Sequence, residues 1–142
     1  MRVFVDTNLW VYRLDRRQPE KSRFIAGWLR ELAEQHEIVV STQVLIELRA
    51  VLSGKLKPVF SAADTRAALK ALAVFEVVDT NANLVLDAHE LAVRERFSWF
   101  DALIAEAAIR SRCAILYSED FNHGRRLDNM AIVNPFKSGV GD

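Results

Sequence analysis

The sequence contains a single cysteine, Cys113, and therefore cannot form a disulfide within the chain. A lone cysteine is typical of proteins from a reducing compartment, so we expect a cytoplasmic protein. With one cysteine and three scattered histidines, we expect no structural zinc site. The five glycines form neither of the common glycine-rich nucleotide-binding loops, which argues against an ordinary ATP- or NAD-binding domain.

The sequence also lacks an excess of charge of one sign and a long apolar run. Its 19 Lys and Arg residues balance 19 Asp and Glu residues, so the formal net charge is zero. This balance argues against a protein that depends on bulk attraction to phosphate, while local charged patches remain open. No apolar run approaches the roughly 18 residues of a membrane span. The N-terminal Met-Arg-Val-Phe-Val-Asp reaches a carboxylate too early for a signal peptide.

The chain has 142 residues, of which 51% are hydrophobic and 27% charged, and we expect a single domain over residues 1–142. Short apolar runs alternate with segments of helical periodicity, which favours parallel strands joined by helices and covered on both faces. The pattern predicts a three-layer α/β/α domain with a central parallel sheet of four or five short strands. The predicted strands are Arg2–Val5, Ile38–Val40, Phe75–Val78, Cys113–Tyr117 and Ala131–Val133. The predicted helices are Pro19–Gln35, Thr42–Leu52, Ser61–Val74, Leu84–Phe97 and Trp99–Arg112, and residues 138–142 are expected to fray.

Polar and acidic side chains follow two of these strands. Asp6-Thr7-Asn8 comes after the first strand, and Ser118-Glu119-Asp120-Phe121-Asn122 comes after the fourth. In open α/β sheets, active sites lie beyond the carboxyl ends of the strands. Carboxylate, amide and hydroxyl oxygens are also the ligands that Mg²⁺ and Mn²⁺ prefer. Alternatively, Asp6 only caps the next helix and residues 118–122 form a polar turn.

Two further acids lie on or beside the apolar faces of predicted helices. Asp101 shares a face with Ile104, Ala105 and Ala108, so it either caps its helix or points into a polar cavity. Glu47 lies at the margin of the apolar stripe of Thr42–Leu52 and is otherwise an ordinary boundary residue.

Four carboxylates in one cleft would repel one another. At about 6 Å separation and an effective dielectric constant of about 20, each pair costs roughly 3 kcal/mol. Six such pairs exceed the roughly 5–15 kcal/mol by which a domain is stable. Such a cluster therefore needs protons or a divalent cation, and a hard cation on carboxylates supports phosphoryl chemistry.

Four short motifs carry a resemblance to a known family. They are Val-Phe-Val-Asp-Thr-Asn, Val-Leu-Ile-Glu-Leu, Phe-Asp-Ala-Leu-Ile-Ala-Glu-Ala-Ala and Leu-Tyr-Ser-Glu-Asp-Phe, in this order. In order and spacing, residues 2–134 resemble PIN-domain nucleases, in particular the small toxins of bacterial VapBC-type toxin–antitoxin modules.

The resemblance implies an acidic catalytic cluster of Asp6, Glu47, Asp101 and Asp120. It implies that Asp6, Asp101 and Asp120 bind Mg²⁺ or Mn²⁺, and that Glu47 completes the set. The supporting positions are Thr7, Asn8, Ser118 and Asn122; many members of the family have a second acid where this chain has Asn122. The implied protein is a metal-dependent endoribonuclease that acts on RNA, dimerises and is silenced by a cognate antitoxin.

Arginines are the candidate phosphate ligands. Arginine accounts for 14 of the 19 basic residues, and its planar guanidinium suits phosphate. The pair Arg16-Arg17 follows the short helix expected after Asp6, and the pair Arg125-Arg126 follows the Asp120 loop, so each either flanks the cleft or lies on the solvated surface. The apolar side chains of the helix Pro19–Gln35 exceed what one small sheet covers, which is the sequence argument for a homodimer.

Three alternative functions remain open. A structure-specific DNA nuclease would need a helical arch and duplex-clamping insertions, for which the chain has no room. A receiver-like signalling module would need an acidic pair before Asp6 and a suitable lysine near the end of the fifth strand, and both are missing, although Asp79 follows the third strand. A PIN-like scaffold without activity is possible, but the intact set of four acids argues against it.

Overall fold

The computed structural model describes residues 1–138. The expected fraying concerns residues 138–142; of these, residues 139–142 lie outside the described residues, and Ser138 ends the last helix. The strands are Arg2–Val5 (β1), Glu37–Ser41 (β2), Glu76–Val78 (β3), Ile115–Tyr117 (β4), Arg126–Leu127 (β5) and Met130–Val133 (β6). The helices are Thr7–Leu14 (α1), Pro19–Gln35 (α2), Thr42–Ala50 (α3), Ala62–Ala73 (α4), Ala82–Glu95 (α5), Trp99–Arg110 (α6) and Pro135–Ser138 (α7), with one π-helical turn at Val51–Lys55.

The strands form one mostly parallel sheet in the order β3-β2-β1-β4-β6-β5, and helices flank it. All pairs are parallel except β5 with β6. Val3 pairs with Ile38 of β2 on one side and with Ile115 of β4 on the other. The apolar side chains of β1 are completely buried because neighbours cover both its edges and both its faces. The predicted α/β architecture is confirmed.

The strand order creates a switch point beside β1. The chain runs from β1 outward through β2 to β3, and it then returns to place β4 on the opposite side of β1. The connections after β1 and β4 therefore diverge, and a crevice opens between them at their carboxyl ends. The residues that follow these two strands begin at Asp6 and Ser118.

The structure differs from the sequence prediction around β4 and β5. β4 begins two residues later than predicted, because Arg112 adopts a left-handed conformation (φ 60°) and the Cys113 amide still bonds to the Ala108 carbonyl of the preceding helix. The two-residue strand β5 was not predicted. It pairs with β6 across the turn Asp128-Asn129, a residue pair that suits a tight hairpin.

The helix boundaries follow local capping rules. Ser41, Ser61 and Ser98 each cap a helix by accepting a hydrogen bond from a backbone amide of its first turn. The Ser61 cap agrees with the predicted start of α4. α3 ends earlier than predicted, because the chain widens into a π-helical turn from Val51 and continues through Gly54.

The apolar side of α2 is largely covered within the chain. Leu32 is buried, and Trp28 packs edge-on against Tyr117 with ring centroids 4.8 Å apart. Phe24 packs against Phe136 of α7 at 5.4 Å and keeps 40% of its surface exposed. The covered side chains weaken the sequence argument for a dimer contact through this helix. Among residues 1–138, no helix is long and apolar enough to cross a membrane.

Candidate active site

A cleft of about 350 Å³ lies at the carboxyl ends of β1 and β4. Its polar lining combines the residues after these strands with residues of three helices and the loop after α1: Asp6, Thr7, Asn8, Asp15, Gln18, Glu47, Asp101 and Asp120. Its apolar lining consists of Val11, Tyr12, Val51, Phe100 and Ile104. The four acids singled out from the sequence thus line a single cleft.

Asp6 is the most buried of these acids and is held by two hydrogen bonds. One carboxylate oxygen accepts from the Thr7 amide at 2.7 Å, so Asp6 caps α1. The other accepts from the Ser118 hydroxyl at 2.7 Å. Capping and cleft lining, which the sequence leaves as alternatives for Asp6, therefore occur together. Ser118 is itself buried and ties the end of β4 to the end of β1.

Glu47 reaches the cleft from α3 and is joined to the first motif through Thr7. The Thr7 hydroxyl donates a hydrogen bond to the Glu47 carboxylate at 2.9 Å. Thr7 is buried at the start of α1, so its hydroxyl is fixed and in turn fixes Glu47. A residue that sequence reasoning places at the edge of an apolar stripe thus acquires a defined position in the cleft.

Asp101 and Asp120 complete the acidic lining. Ser98 is the N-cap of α6 and accepts from the Asp101 amide at 3.3 Å, while the Asp101 carboxylate is itself hydrogen-bonded to Ser98 and also lines the cleft, so the two alternatives for Asp101 occur together. The Asp120 amide donates to the Ser118 hydroxyl at 3.1 Å, which fixes the backbone of Asp120. Asp120 is exposed, whereas Asp101 is half-buried.

Burial, and not mutual repulsion, is the largest cause of the raised pKa values in the cleft. It raises the pKa of Asp6 from its ordinary value of 3.8 to about 7, against the opposing hydrogen bonds from Ser118 and Thr7. Burial is also the largest cause of the raised pKa values of Glu47 and Asp101. Repulsion from Asp120 contributes to all three shifts but is a smaller cause. Burial, and not the pairwise repulsion expected from the sequence, is therefore the main cost of keeping these carboxylates charged.

The chemistry of the lining fits a hard cation. Four of the five carboxylates that line the cleft, those of Asp6, Glu47, Asp101 and Asp120, carry no ion pair to any Lys or Arg of the described residues. Both polar atoms of the Asn8 amide are buried at the cleft without a hydrogen-bond partner. Such orphaned groups cost free energy unless a ligand, an ion or water satisfies them. In residues 1–138, however, no three His, Cys, Asp or Glu side chains are already arranged as a closed metal-ligand cluster.

The remaining predicted site residues lie outside the cleft lining. Asn122 is exposed in the loop after β4. Arg125 donates to Glu95 at 2.7 Å and stacks on the Phe97 ring, so it anchors its loop to the end of α5. Arg126 is exposed on β5.

Arg16 and Arg17, the other candidate phosphate ligands, differ from each other. Arg16 is exposed beside Pro58 and Phe60, away from the acids. Arg17 is held beside the cleft by Asp15, a buried cleft residue whose carboxylate accepts from the Arg17 amide at 3.0 Å and from its guanidinium at 3.1 and 3.3 Å. These bonds lower the pKa of Asp15, which therefore stays charged.

The structure brings further residues to the cleft that sequence reasoning missed. Phe100 precedes Asp101 and lies one turn before Ile104, a spacing that indicates a shared helical face. Tyr12 also lines the cleft, and its hydroxyl donates to Glu119 at 2.6 Å. No sequence signal indicated that Asp15 would be buried there, because its environment comes from the packing of its loop.

Comparison with solved structures relates this cleft to known proteins. A structure of VapBC2 from Rickettsia felis bound to a DNA fragment from their promoter matches with a TM-score of 0.67 and 25% identity, over 93% of this chain and 97% of that chain. A toxin–antitoxin complex from Klebsiella pneumoniae matches with a TM-score of 0.60 and 16% identity, over 83% and 86% of the two chains. VapC20 from Mycobacterium tuberculosis, a sarcin–ricin loop cleaving toxin, matches with a TM-score of 0.59 and 24% identity, over 83% and 91%.

Comparison at the level of sequence gives a family. No curated protein matches the chain. The family model of the PIN domain matches residues 3–128, which include the ends of β1 and β4 and all four cleft acids. The resemblance to PIN-domain nucleases noted from the motifs is confirmed. The chain belongs to the PIN domain family.

Proposed function

We propose that this protein is a cytoplasmic, divalent-metal-dependent endoribonuclease and the toxin of a toxin–antitoxin pair. The observation that carries the proposal is the convergence of Asp6, Glu47, Asp101 and Asp120 on one cleft at the switch point of the sheet. Membership of the PIN domain family supports nuclease chemistry. The similarity to VapBC2, to a toxin–antitoxin complex and to a sarcin–ricin loop cleaving toxin supports the toxin role, and the RNA substrate follows from the motif resemblance to VapBC-type toxins.

Asp6, Asp101 and Asp120 are the residues that would hold Mg²⁺ or Mn²⁺. When bound, such a cation lowers the pKa of a coordinated water and neutralises charge on the scissile phosphate. In residues 1–138 these side chains do not form a metal-ligand group in the positions that they occupy here, and Asp120 is the exposed member of the three. Asp6 is fixed by Thr7 and Ser118 and serves as the rigid member of the set.

Glu47 orients the attacking water. Its carboxylate is positioned by Thr7, and burial raises its pKa, so it is a better proton acceptor than an exposed glutamate. The orphaned Asn8 amide provides a donor and an acceptor at the same cleft. We assign Asn8 the role of fixing a water or a phosphate oxygen of the substrate.

Arg17 contributes a substrate contact at the rim. Asp15 holds the guanidinium in a fixed orientation, and 54% of the Arg17 side chain remains exposed for a phosphate. Arg125 is already engaged with Glu95, Arg16 lines a different pocket, and Arg126 is exposed on β5 and does not line the cleft. Arg17 is therefore the one member of the four candidate arginines that we retain as a phosphate ligand.

The proposed partners are an antitoxin and a second copy of the chain. We propose that the antitoxin covers the acidic cleft and presents an arginine to its carboxylates, because a guanidinium neutralises the same charge as a divalent cation. Such an arginine competes with the metal for the same oxygens.

The test is RNA cleavage by the purified protein with Mn²⁺, with Mg²⁺ and with EDTA. We expect cleavage with either metal and none with EDTA. Adding the protein encoded beside this one should abolish cleavage and weaken Mn²⁺ binding together. Cleavage that persists in EDTA contradicts the metal mechanism, and undiminished cleavage in the presence of the neighbouring gene product contradicts the toxin–antitoxin role.

A further inference from the structure

The most unusual apolar residue of the cleft is Phe100. Its side chain lines the cleft and yet 62% of its surface is exposed. Phenylalanines are usually buried, because burying the ring stabilises the fold. An exposed aromatic ring beside Asp101 therefore calls for an explanation other than folding.

The backbone that carries this ring is firmly held. Phe100 lies in the first turn of α6, and its carbonyl accepts a hydrogen bond from the Gln43 side chain at 3.3 Å. Gln43 is buried on α3, one turn before Glu47. The same two helices thus position Glu47, Asp101 and the exposed ring, so the ring stands at a fixed place relative to these two acids.

Tyr12, the other aromatic residue of the cleft, offers a contrast. Its ring is covered by the Lys21 ammonium at 4.7 Å and by the Phe136 ring at 5.3 Å, and its hydroxyl is bonded to Glu119. Within residues 1–138, no other aromatic ring and no cation stacks on Phe100. The free stacking surface of the cleft is therefore Phe100.

We propose that Phe100 stacks on a nucleobase next to the scissile phosphate and so selects unpaired RNA. This inference rests on the proposed ribonuclease function. A phosphodiester cut at the acids has its bases within a few ångströms, and the apolar wall formed by Phe100, Ile104 and Val51 lies in that same cleft. A base can reach the ring only when it is free of its duplex neighbours, and aromatic stacking of this kind is how proteins bind unpaired bases.

The experiment compares steady-state cleavage of a single-stranded RNA and of the same sequence as a duplex, with Mn²⁺. The variants are Phe100→Ala, Phe100→Leu, which keeps apolar character without a ring, and Phe100→Trp, which keeps the ring. Trp99→Ala is the matched control, because Trp99 is the neighbouring exposed aromatic residue and does not line the cleft. A second readout is the fluorescence of 2-aminopurine placed at the cut position, measured with Ca²⁺ in place of Mn²⁺.

We expect Phe100→Ala and Phe100→Leu to raise KM for single-stranded RNA by about five- to one-hundred-fold, with kcat changed little. Phe100→Trp and Trp99→Ala should stay near wild type. The wild-type protein should prefer the single strand and quench 2-aminopurine, and Phe100→Ala should lose both properties.

An unchanged KM for Phe100→Ala in a cleaving enzyme overturns this inference and leaves the ribonuclease function intact. An altered oligomeric state with an unchanged KM also overturns it and assigns the ring to a protein contact. A wild-type protein that neither binds nor cleaves RNA removes the proposed function, and this inference with it.

Discussion

The two ends of the sheet differ in whether their charged side chains form ion pairs. At the amino end, Arg2 of β1 donates to Glu37 of β2 at 3.0 Å, to Glu76 of β3 and to the Ser111 carbonyl at 2.7 Å. At the carboxyl end, five acids line one cleft; Asp15 is paired with Arg17, whereas Asp6, Glu47, Asp101 and Asp120 form no ion pair with a Lys or Arg of the described residues.

The ion pairs at the amino end of the sheet stabilise the fold, whereas the unpaired carboxylates at the carboxyl end are available to bind a ligand. The Arg2 cluster ties three strands together and leaves little for a ligand to gain. The cleft keeps a buried carboxylate, Asp6, without a cation, and the chain is less stable for it. The charges at the amino end of the sheet are paired, whereas the unpaired Asp6 lowers the stability of the fold. We interpret this cost as the consequence of keeping the cleft carboxylates free to bind a ligand.

The largest expected effect is on catalysis. Asp101→Asn removes a proposed metal ligand while the Ser98 cap, which uses the backbone amide of residue 101, remains. We expect cleavage of RNA to fall by about 1,000-fold or more, as for other residues that act as a catalytic unit. The measurement is single-turnover cleavage with Mn²⁺, with circular dichroism to check the fold. Glu106→Gln on the same helix is the matched control, because Glu106 does not line the cleft.

The second effect is the pH dependence of stability without metal. Burial raises the pKa of Asp6 to about 7, so the folded protein holds this proton more tightly than the unfolded chain does. The stability that this proton contributes is complete below about pH 4 and is lost as the pH rises through about 7, a change of about 4 kcal/mol.

Urea unfolding in EDTA at several pH values measures this effect. Asp6→Asn should flatten the dependence and be more stable than wild type near pH 8, since the amide carries no charge. Its oxygen can still accept from the Thr7 amide, whereas its NH2 group must donate to the Ser118 hydroxyl in place of accepting from it. Asp120→Asn should change it much less, because Asp120 is exposed. Equal slopes in wild type and Asp6→Asn would show that Asp6 is not the buried group responsible.

The third effect is stabilisation by the cation. A cation that binds only the folded state stabilises it by about 2.7 kcal/mol at about 100 times its Kd. Mn²⁺ should therefore raise the Tm of the wild-type protein, and the increase should disappear in Asp6→Asn. Thermal unfolding with and without Mn²⁺ measures it, and a Tm that does not respond to metal would contradict a cation site in the cleft.

The fourth effect concerns the amino end of the sheet. Arg2→Met leaves Glu37 and Glu76 without their shared cation, and it removes the bond to the Ser111 carbonyl. We expect a loss of about 1–2 kcal/mol of unfolding free energy, because the pairs are partly exposed. RNA cleavage and the increase in Tm with Mn²⁺ should stay at wild-type values. A large loss of activity would mean that the two ends are coupled.

The smallest effect concerns the rim. Arg17→Ala should raise KM for RNA by roughly three- to tenfold, since one phosphate contact is lost. The effect should shrink with added salt. Arg125→Ala is the control, because Arg125 is engaged with Glu95 and Phe97; it should leave KM unchanged and lower stability instead. Similar KM changes in both variants would argue against a specific role for Arg17.

Much of the fold was predictable because its signals are local. The bounds of β1 and α2 agree with the prediction, since a continuous apolar run and a proline at a helix start need no tertiary information. The short antiparallel strand β5 was missed, because two residues carry too little pattern. The start of β4 was placed too early, because a left-handed residue, Arg112, delays it.

The sequence by itself determined the architecture and supplied the acids, because parallel strands place the residues that follow them at one edge of the sheet. Only the tertiary structure decided how these groups are held. It made burial the main cause of the raised pKa of Asp6, paired Arg125 away from the cleft and placed Phe100 inside it. Burial, pairing and exposure depend on which helices pack together, and no local pattern in the chain encodes that packing.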